Sequence, residues 1–400
     1  MRKKKKPELT IEQQLARGPL DLPFLALTLL LVGIGLVMVL SASYASAYYT
    51  ENDPRLYFNK QAVFALVGIG AMYLVSRFNY QYWRGLSLFV LIGAIILLLL
   101  VKVPGLGVTA NGATRWLKFL RIQFQPSEIA KLAVILFFSA RLSKRKEGLR
   151  RPYDSRTAKG RLFNKLHDVG FLELLPYGGV LLLILGLLKL QPHMSATILI
   201  LIVGASILFA AGISLGWFAL AGALMAGLLG VIIATTEYMT RRVDMWKNPW
   251  ADPLDGGLQA IQSLLAIGSG GLLGLGLGNS RQKFLYLPEE HNDFIFSIVC
   301  EELGFIGAAL ILILFALLII RGYWLALHAR DRFGSLMIVG VITLLAFQVF
   351  LNVAVVTNLF PVTGISLPFF SYGGSALMIQ LTEMGIVLSV SRQIPAQKSD

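Results

Sequence analysis

The sequence predicts an all-α polytopic membrane protein of about ten transmembrane helices, with a large extracytoplasmic loop between the seventh and the eighth. Three observations point there. Of 400 residues, 56% are hydrophobic and only 14% are charged, a balance foreign to soluble chains of this length. Apolar runs of about 20 residues, the length that crosses a bilayer, recur along nearly the whole chain. The 36 Lys and Arg outnumber the 22 Asp and Glu and collect on alternate connections between those runs.

In order, the runs centre near Val32, Gly68, Ala94, Leu136, Leu182, Ile202, Leu224, Leu310, Leu345 and Ile379. The first follows the basic leader MRKKKK and lacks a small-residue cleavage site, so it reads as a spanning helix and not a removed signal. Cations group at 2–6 and Arg17, at Arg77 and Arg84, along 141–165, at 321–332, and at Arg392 and Lys398. The positive-inside rule then places both termini in the cytoplasm, with anionic membrane lipid as the partner of the basic loops. A net charge of +14 distributed this way argues against nucleic acid as a partner. The chain reads as one integral membrane domain over 1–400. Its cytoplasmic parts are a leader at 1–20, a loop at 143–173 and a tail at 393–400, and its main extracytoplasmic loop is 237–292.

Two connections fall on the outer side. The first, 104–126, carries an Asn-Gly turn signal at Asn111, and its Arg115-Trp116 pair suits a headgroup-level anchor or a grip on substrate. It ends in Gln125-Pro126-Ser127-Glu128, a helix start with Pro early and acid in the first turn. Lys131 lies three residues after Glu128, on the same helical face, so the two either neutralise each other or serve a polyanionic ligand. The second loop, 237–292, is rich in Trp246, Pro249, Trp250, Pro253, Tyr286 and Pro288, as an ordered interfacial cap would be. Its glycine run from Gly268 to Gly278 matches no phosphate-binding fingerprint and reads as close backbone approach in a re-entrant or interfacial element.

The segment 281–296, RQKFLYLPEEHNDFIF, sets Arg281, Lys283, Glu289, Glu290, His291 and Asp293 flush against an apolar helix. Charges there need a watery pocket or a partner. Asp293 has two readings: an N-cap for the following helix, or a base. The neighbouring carboxylates and His291 fit hard-cation chemistry, Mg²⁺ or Mn²⁺, but side chains adjacent in sequence often just face water, and no metal site is assigned. Cys300, the single cysteine, excludes an intrachain disulfide and reads as a packing residue. Glu301, Glu302, Asn352 and Glu383, deep in apolar runs, are expected to pair within the bundle. The SYGGS block at 371–375 reads as a tight turn into the last helix.

The blocks NGATRW, QPSEIAK, SRQKFLYLPEEHNDF and FLNVAVVTNLFPVTGISLPFFSYGGSAL together resemble the SEDS family, the shape, elongation, division and sporulation proteins of bacterial wall synthesis. The form SRQKFLYLPE is more similar to the division and sporulation branch, FtsW and SpoVE, than to the elongation branch, RodA. The resemblance implies a peptidoglycan glycosyltransferase that polymerises lipid II at the outer membrane face. It implies Asp293 as the essential acid and carries Trp116, Glu128 and Lys131 as site residues. Partners it implies are lipid II, the nascent glycan strand, a class B penicillin-binding protein and other wall or division proteins. Two positions depart from the family pattern: His193, in QPHM where QPDLG is usual, and Asn292 in place of threonine.

The chemistry such a reaction needs matches these residue types. A sugar hydroxyl attacks an anomeric carbon while a lipid pyrophosphate departs, with inversion, so one base and one positive charge are the minimum. Asp293 is the base. Arg115, Lys131 or a divalent cation supplies the charge, and Glu289 and His291 support substrate binding. Lipid II transport across the membrane is the alternative function, and a non-catalytic scaffold of the wall-synthesis complex is the third.

Overall fold

The computed structural model describes residues 18–110, 113–119, 122–145, 171–235 and 237–394. The leader 1–17, the core of the basic loop at 146–170 and the tail 395–400 lie outside the described residues. The elements run α1 (Leu22–Glu51), α2 (Leu56–Arg77), α3 (Gln81–Leu100), β1 (Gly107–Ala110), β2 (Ala113–Phe119), β3 (Ile122–Phe124), α4 (Pro126–Leu142), α5 (Phe171–Leu190) and α6 (Met194–Ala210). They continue with α7 (Leu215–Thr235), α8 (Glu237–Lys247), a 3₁₀ turn (Pro249–Ala251), α9 (Leu258–Gly270), α10 (Ile295–Leu327), α11 (Arg332–Val356) and α12 (Gly374–Ser391).

Each expected span centre falls inside a helix. Seven helices among the described residues are long and apolar enough to cross a membrane. The 17-residue α4 is shorter and buried along most of its length, Glu128 and Lys131 included. It packs between α3, α6 and α11, while α12 lies along α2, and α10 lies against α1 and α11. One continuous apolar core runs through these helices, with Phe24, Phe138, Phe315 and Phe370 fully enclosed.

The connection at 104–126 departs from an all-α fold. It forms a three-stranded antiparallel sheet, β1-β2-β3, in which Val108 pairs with Trp116 and Leu117 with Phe124. Trp116 therefore sits in a strand ladder, half-buried.

The loop at 237–292 is built on the bundle. Ser263 of α9 bonds Ser297 Oγ at 2.7 Å and donates to Val356 O at 2.6 Å, which pins α9 against α10 and α11. At the end of α9 the glycines do allow close approach. A Cβ at Gly270 would stand 2.0 Å from Cys300 O, and one at Gly274 2.2 Å from Glu302 O. Opposite them α10 breaks at Gly304, whose φ of 67° suits glycine and few other residues. Glu301 and Glu302 strap the following turn down. Glu301 accepts from Ser280 Oγ at 2.5 Å and from Arg281 N at 2.9 Å. Glu302 accepts from Ser41 Oγ and pairs with Lys283 Nζ at 3.1 Å. Lys283 is thus a buried structural partner, 3% exposed, removed from the polar cluster in which the sequence had placed it.

Asp331, just past the other end of α10, accepts from Tyr80, Gln81 and Arg84 and caps α11 through Gly334 N. Asp293 and Asp331 bracket α10, so the Asp293 end of the bundle lies opposite the end that carries Arg84, Arg321 and Arg332.

Candidate active site

The acidic loop is held by its carbonyls. His291 O, Asn292 O and Asp293 O are successive, and each accepts from a different donor: Tyr372 N at 2.8 Å, Ser371 Oγ at 2.7 Å and Asn352 Nδ2 at 2.7 Å. Ser371 Oγ is fixed in turn by Leu367 N at 2.7 Å, and the fully buried Asn352 also donates to Ile365 O at 2.7 Å. Within the loop, Glu289 adopts φ 61° and its carbonyl accepts from Asn292 N and Phe294 N. Its carboxylate takes Asn292 Nδ2 at 2.5 Å. The α12 approach and α11 therefore set where Asp293 stands.

Asp293 does not cap α10. The N-cap position is Phe294, with no side-chain cap bond, so the capping reading of Asp293 fails and its carboxyl is left for other work. Burial pushes that carboxyl up to about 6, Glu289 adds to the rise, and Arg115 and His291 oppose it. A carboxylate tuned in this way suits a general base near neutral pH. Gly364, at φ 72°, leaves room for it, since a Cβ there would lie 3.1 Å from Asp293 Oδ2.

Arg115 reaches this site from β2. Its guanidinium donates to Gln191 O at 3.4 Å and to Pro192 O, and its charge acts on both Asp293 and His193. Successive strand residues face opposite sides of a sheet, so Trp116 faces away from the side Arg115 serves. A second polar cluster lies along α4. Lys131 Nζ pairs with Glu128 Oε2 at 2.7 Å, and both charges reach Glu383 of α12. His193 joins this cluster although its sequence context kept it out of the candidate set. Its Nδ1 accepts from Ala196 N at 3.1 Å as the α6 N-cap, and its Nε2 meets Gln125. Burial, Arg115 and Lys131 hold its pKa down at about 3, so it is neutral at physiological pH.

The structure thus brings Glu289, His291, Asp293 and Arg115 together, and groups Glu128, Lys131 and His193 beside them. Glu290 bonds His291 Nδ1 at 3.3 Å. Among the described residues no three His, Cys, Asp or Glu side chains converge as a metal set. The positioning residues Asn352, Ser371 and Gly364 were missed as site residues. Their only sequence signal is a lone amide in an apolar helix and a Gly-Ser-rich approach to another.

Comparison with known proteins agrees with this architecture. The profile of a family described as cell cycle proteins, FtsW/RodA/SpoVE, matches residues 22–395. Stage V sporulation protein E of Bacillus subtilis is 40% identical over 93% of this chain and 97% of its own length. A probable peptidoglycan glycosyltransferase FtsW of Geobacter sulfurreducens is 39% identical over 94% of this chain and 95% of its own length. Among solved structures, a chain of a peptidoglycan synthase complex that coordinates polymerization and crosslinking superposes with a TM-score of 0.72 at 30% identity, covering 94% of this chain and 99% of that one. The rod shape determining protein RodA of Thermus thermophilus gives a TM-score of 0.67 at 28% identity, covering 94% and 98%. On these matches and on its own motifs, the chain belongs to the FtsW/RodA/SpoVE family of cell cycle proteins, the SEDS family.

Proposed function

We infer that this protein is a peptidoglycan glycosyltransferase that extends glycan strands from lipid II, with Asp293 as general base. The observation that carries the reading is the Asp293 carboxyl. Its loop is held by three backbone tethers, and the carboxyl itself is not spent on capping and is pushed up to about 6. Several relatives of the chain bear the name probable peptidoglycan glycosyltransferase FtsW.

In the reaction, Asp293 takes the proton of the acceptor's 4-hydroxyl as that oxygen attacks the donor's anomeric carbon. The bond from that carbon to the pyrophosphate breaks, the lipid pyrophosphate leaves with the electron pair, and configuration inverts. General-base help of this kind contributes about a hundred- to ten-thousand-fold. Arg115 is the better positive partner for the leaving group, because its charge already acts on Asp293, whereas Lys131 is paired with Glu128. No step is routed through a metal ion.

Asp293 stands at the end of α10 opposite the basic connections, so the positive-inside rule assigns it to the outer face and the termini to the cytoplasm. A class B penicillin-binding protein is the expected partner, in keeping with the synthase complex its fold resembles. The test is purified protein given labelled lipid II, with and without such a partner. Glycan strands from wild type and none from Asp293→Asn support the assignment. Equal strands from both refute the base, and lipid II transfer across vesicles by the same variant tests transport separately.

A further inference from the structure

At the end of the bundle opposite Asp293, two arginines stand together without an acid. Arg77 is the last residue of α2, and Arg392 follows the last turn of α12. Arg392 donates Nε to Gly18 O at 3.0 Å and Nη1 to Ser76 O at 3.5 Å, which brings its guanidinium to the residue beside Arg77. The Arg77 guanidinium lies over the Tyr73 ring, 4.9 Å from its centroid, and donates to the Tyr73 hydroxyl. Burial first, and then the Arg77 charge, push the Arg392 pKa down, as two like charges within reach of each other do.

Other arginines of the bundle are neutralised. Arg84 pairs with Asp331 at 3.1 Å, Arg321 with Asp21 at 2.5 Å and Arg145 with Glu173 at 2.9 Å. Among the described residues, Arg77 and Arg392 have no carboxylate within ion-pair reach, and their partners are carbonyls and a phenol. Helix dipoles favour one cation at each C-terminus, yet holding two side by side costs repulsion that an anion between them would remove. The frame that holds them is fixed. Ser389 Oγ donates to Phe78 O, and Gln393 Nε2 donates to Asn79 Oδ1 at 2.9 Å, so the end of α12 is tied to the turn after α2. Two guanidinium forks on such a frame are pre-organised donors for phosphate oxygens.

The surroundings select the anion. Tyr73, Leu74 and Phe78 are exposed beside Arg77, at the end of a helix long and apolar enough to cross a membrane, and Tyr82 is exposed just beyond. Exposed rings next to cations are the composition of the headgroup level. A ligand there needs a charged part for the two arginines and an apolar part for the rings and Leu74. An anionic phospholipid has both.

We propose that Arg77 and Arg392 form a discrete site for the phosphodiester headgroup of an anionic phospholipid, with Tyr73 and Phe78 against its glycerol and upper acyl chains. The 18 residues of α12, about 27 Å by helical rise, separate this site from the turn that holds the Asp293 loop. It differs from diffuse attraction of lipid to basic loops because it depends on two particular residues and not on net charge. A lipid held by both arginines clamps the end of α2 to the end of α12 and stabilises the fold by mass action.

The test titrates the full chain in detergent with phosphatidylglycerol, with zwitterionic phosphatidylethanolamine and with soluble glycerol phosphate, read by native mass spectrometry and thermal unfolding. Wild type should retain phosphatidylglycerol over the other two and melt higher with it. Arg77→Gln and Arg392→Gln should each weaken retention about fivefold, and the double variant should lose the thermal shift. Arg330→Gln removes an exposed cation from the same end and should leave both readouts unchanged. Retention by the double variant equal to wild type overturns the site. Equal losses in Arg330→Gln and Arg77→Gln overturn it in favour of diffuse attraction, and glycerol phosphate or phosphatidylethanolamine bound as tightly as phosphatidylglycerol overturns the choice of ligand. Photocrosslinking of wild type with a phosphatidylglycerol that carries a diazirine next to its glycerol needs no variant, so a misfolded variant leaves the question decidable. Labelled peptides should contain residues 73–82 or Arg392, and label found only elsewhere overturns the proposal.

Discussion

Asn352, buried in α11, donates its Nδ2 to Asp293 O at 2.7 Å across 59 residues of sequence, and the same amide reaches Ile365 O. A helix interior thereby positions the loop acid. Replacing it with Leu strands two carbonyls, each at about 1–3 kcal/mol when buried without a partner. Asn352→Leu should lower the unfolding temperature in detergent and cut kcat more than it raises KM. Unchanged kcat in a folded variant would mean that the tether does not set Asp293.

Gly364 gives a sharper test of space around the acid. An added Cβ would sit 3.1 Å from Asp293 Oδ2 on a backbone at φ 72°, strained for any L residue. Gly364→Ala should reduce turnover by about tenfold or more for roughly 1–2 kcal/mol of strain and displacement. Steady-state polymerisation by the monodisperse variant checks it.

The raised carboxyl sets a pH profile. A base works ionised, so activity should be half-maximal near pH 6, approach its full value about one unit above, and fall about tenfold per unit well below it. Glu289 raises this midpoint and Arg115 lowers it. Glu289→Gln should therefore move the acid limb to lower pH, and Arg115→Gln should move it to higher pH while weakening pyrophosphate release. The acid limbs of kcat for the two variants should shift in opposite directions.

Lys283 and Glu302 form a buried pair at 3.1 Å with side chains 3% and 0% exposed. Lys283→Ala leaves Glu302 with Ser41 and Ser280 but no countercharge, and should destabilise by about 3–5 kcal/mol. The double variant Lys283→Met with Glu302→Gln should regain most of that. Thermal unfolding of the single and double variants measures it.

The bundle was legible because spans announce themselves as long apolar runs, and every expected centre lies on a helix. The sheet was not, since β1 and β3 hold only 4 and 3 residues, too few for alternation to register. Asp293 was legible as a charge against an apolar wall. That it is not a cap shows only in the geometry one residue on, where Phe294 takes the N-cap position. Asn352 and Ser371 act through contacts 59 and 79 residues away in sequence, which no local pattern carries.

The central claim is that Asp293 is ionised to act as base, in a place where ionisation strains the fold. A carboxyl whose folded pKa is raised from 3.8 to about 6 is stable while protonated and loses stability as pH rises through that range, by on the order of 1–3 kcal/mol. The direct measurement pairs thermal unfolding with lipid II polymerisation at pH 7.5 for wild type and Asp293→Asn. The account predicts a variant that melts higher than wild type and makes no glycan. A variant that polymerises at the wild-type rate would contradict it.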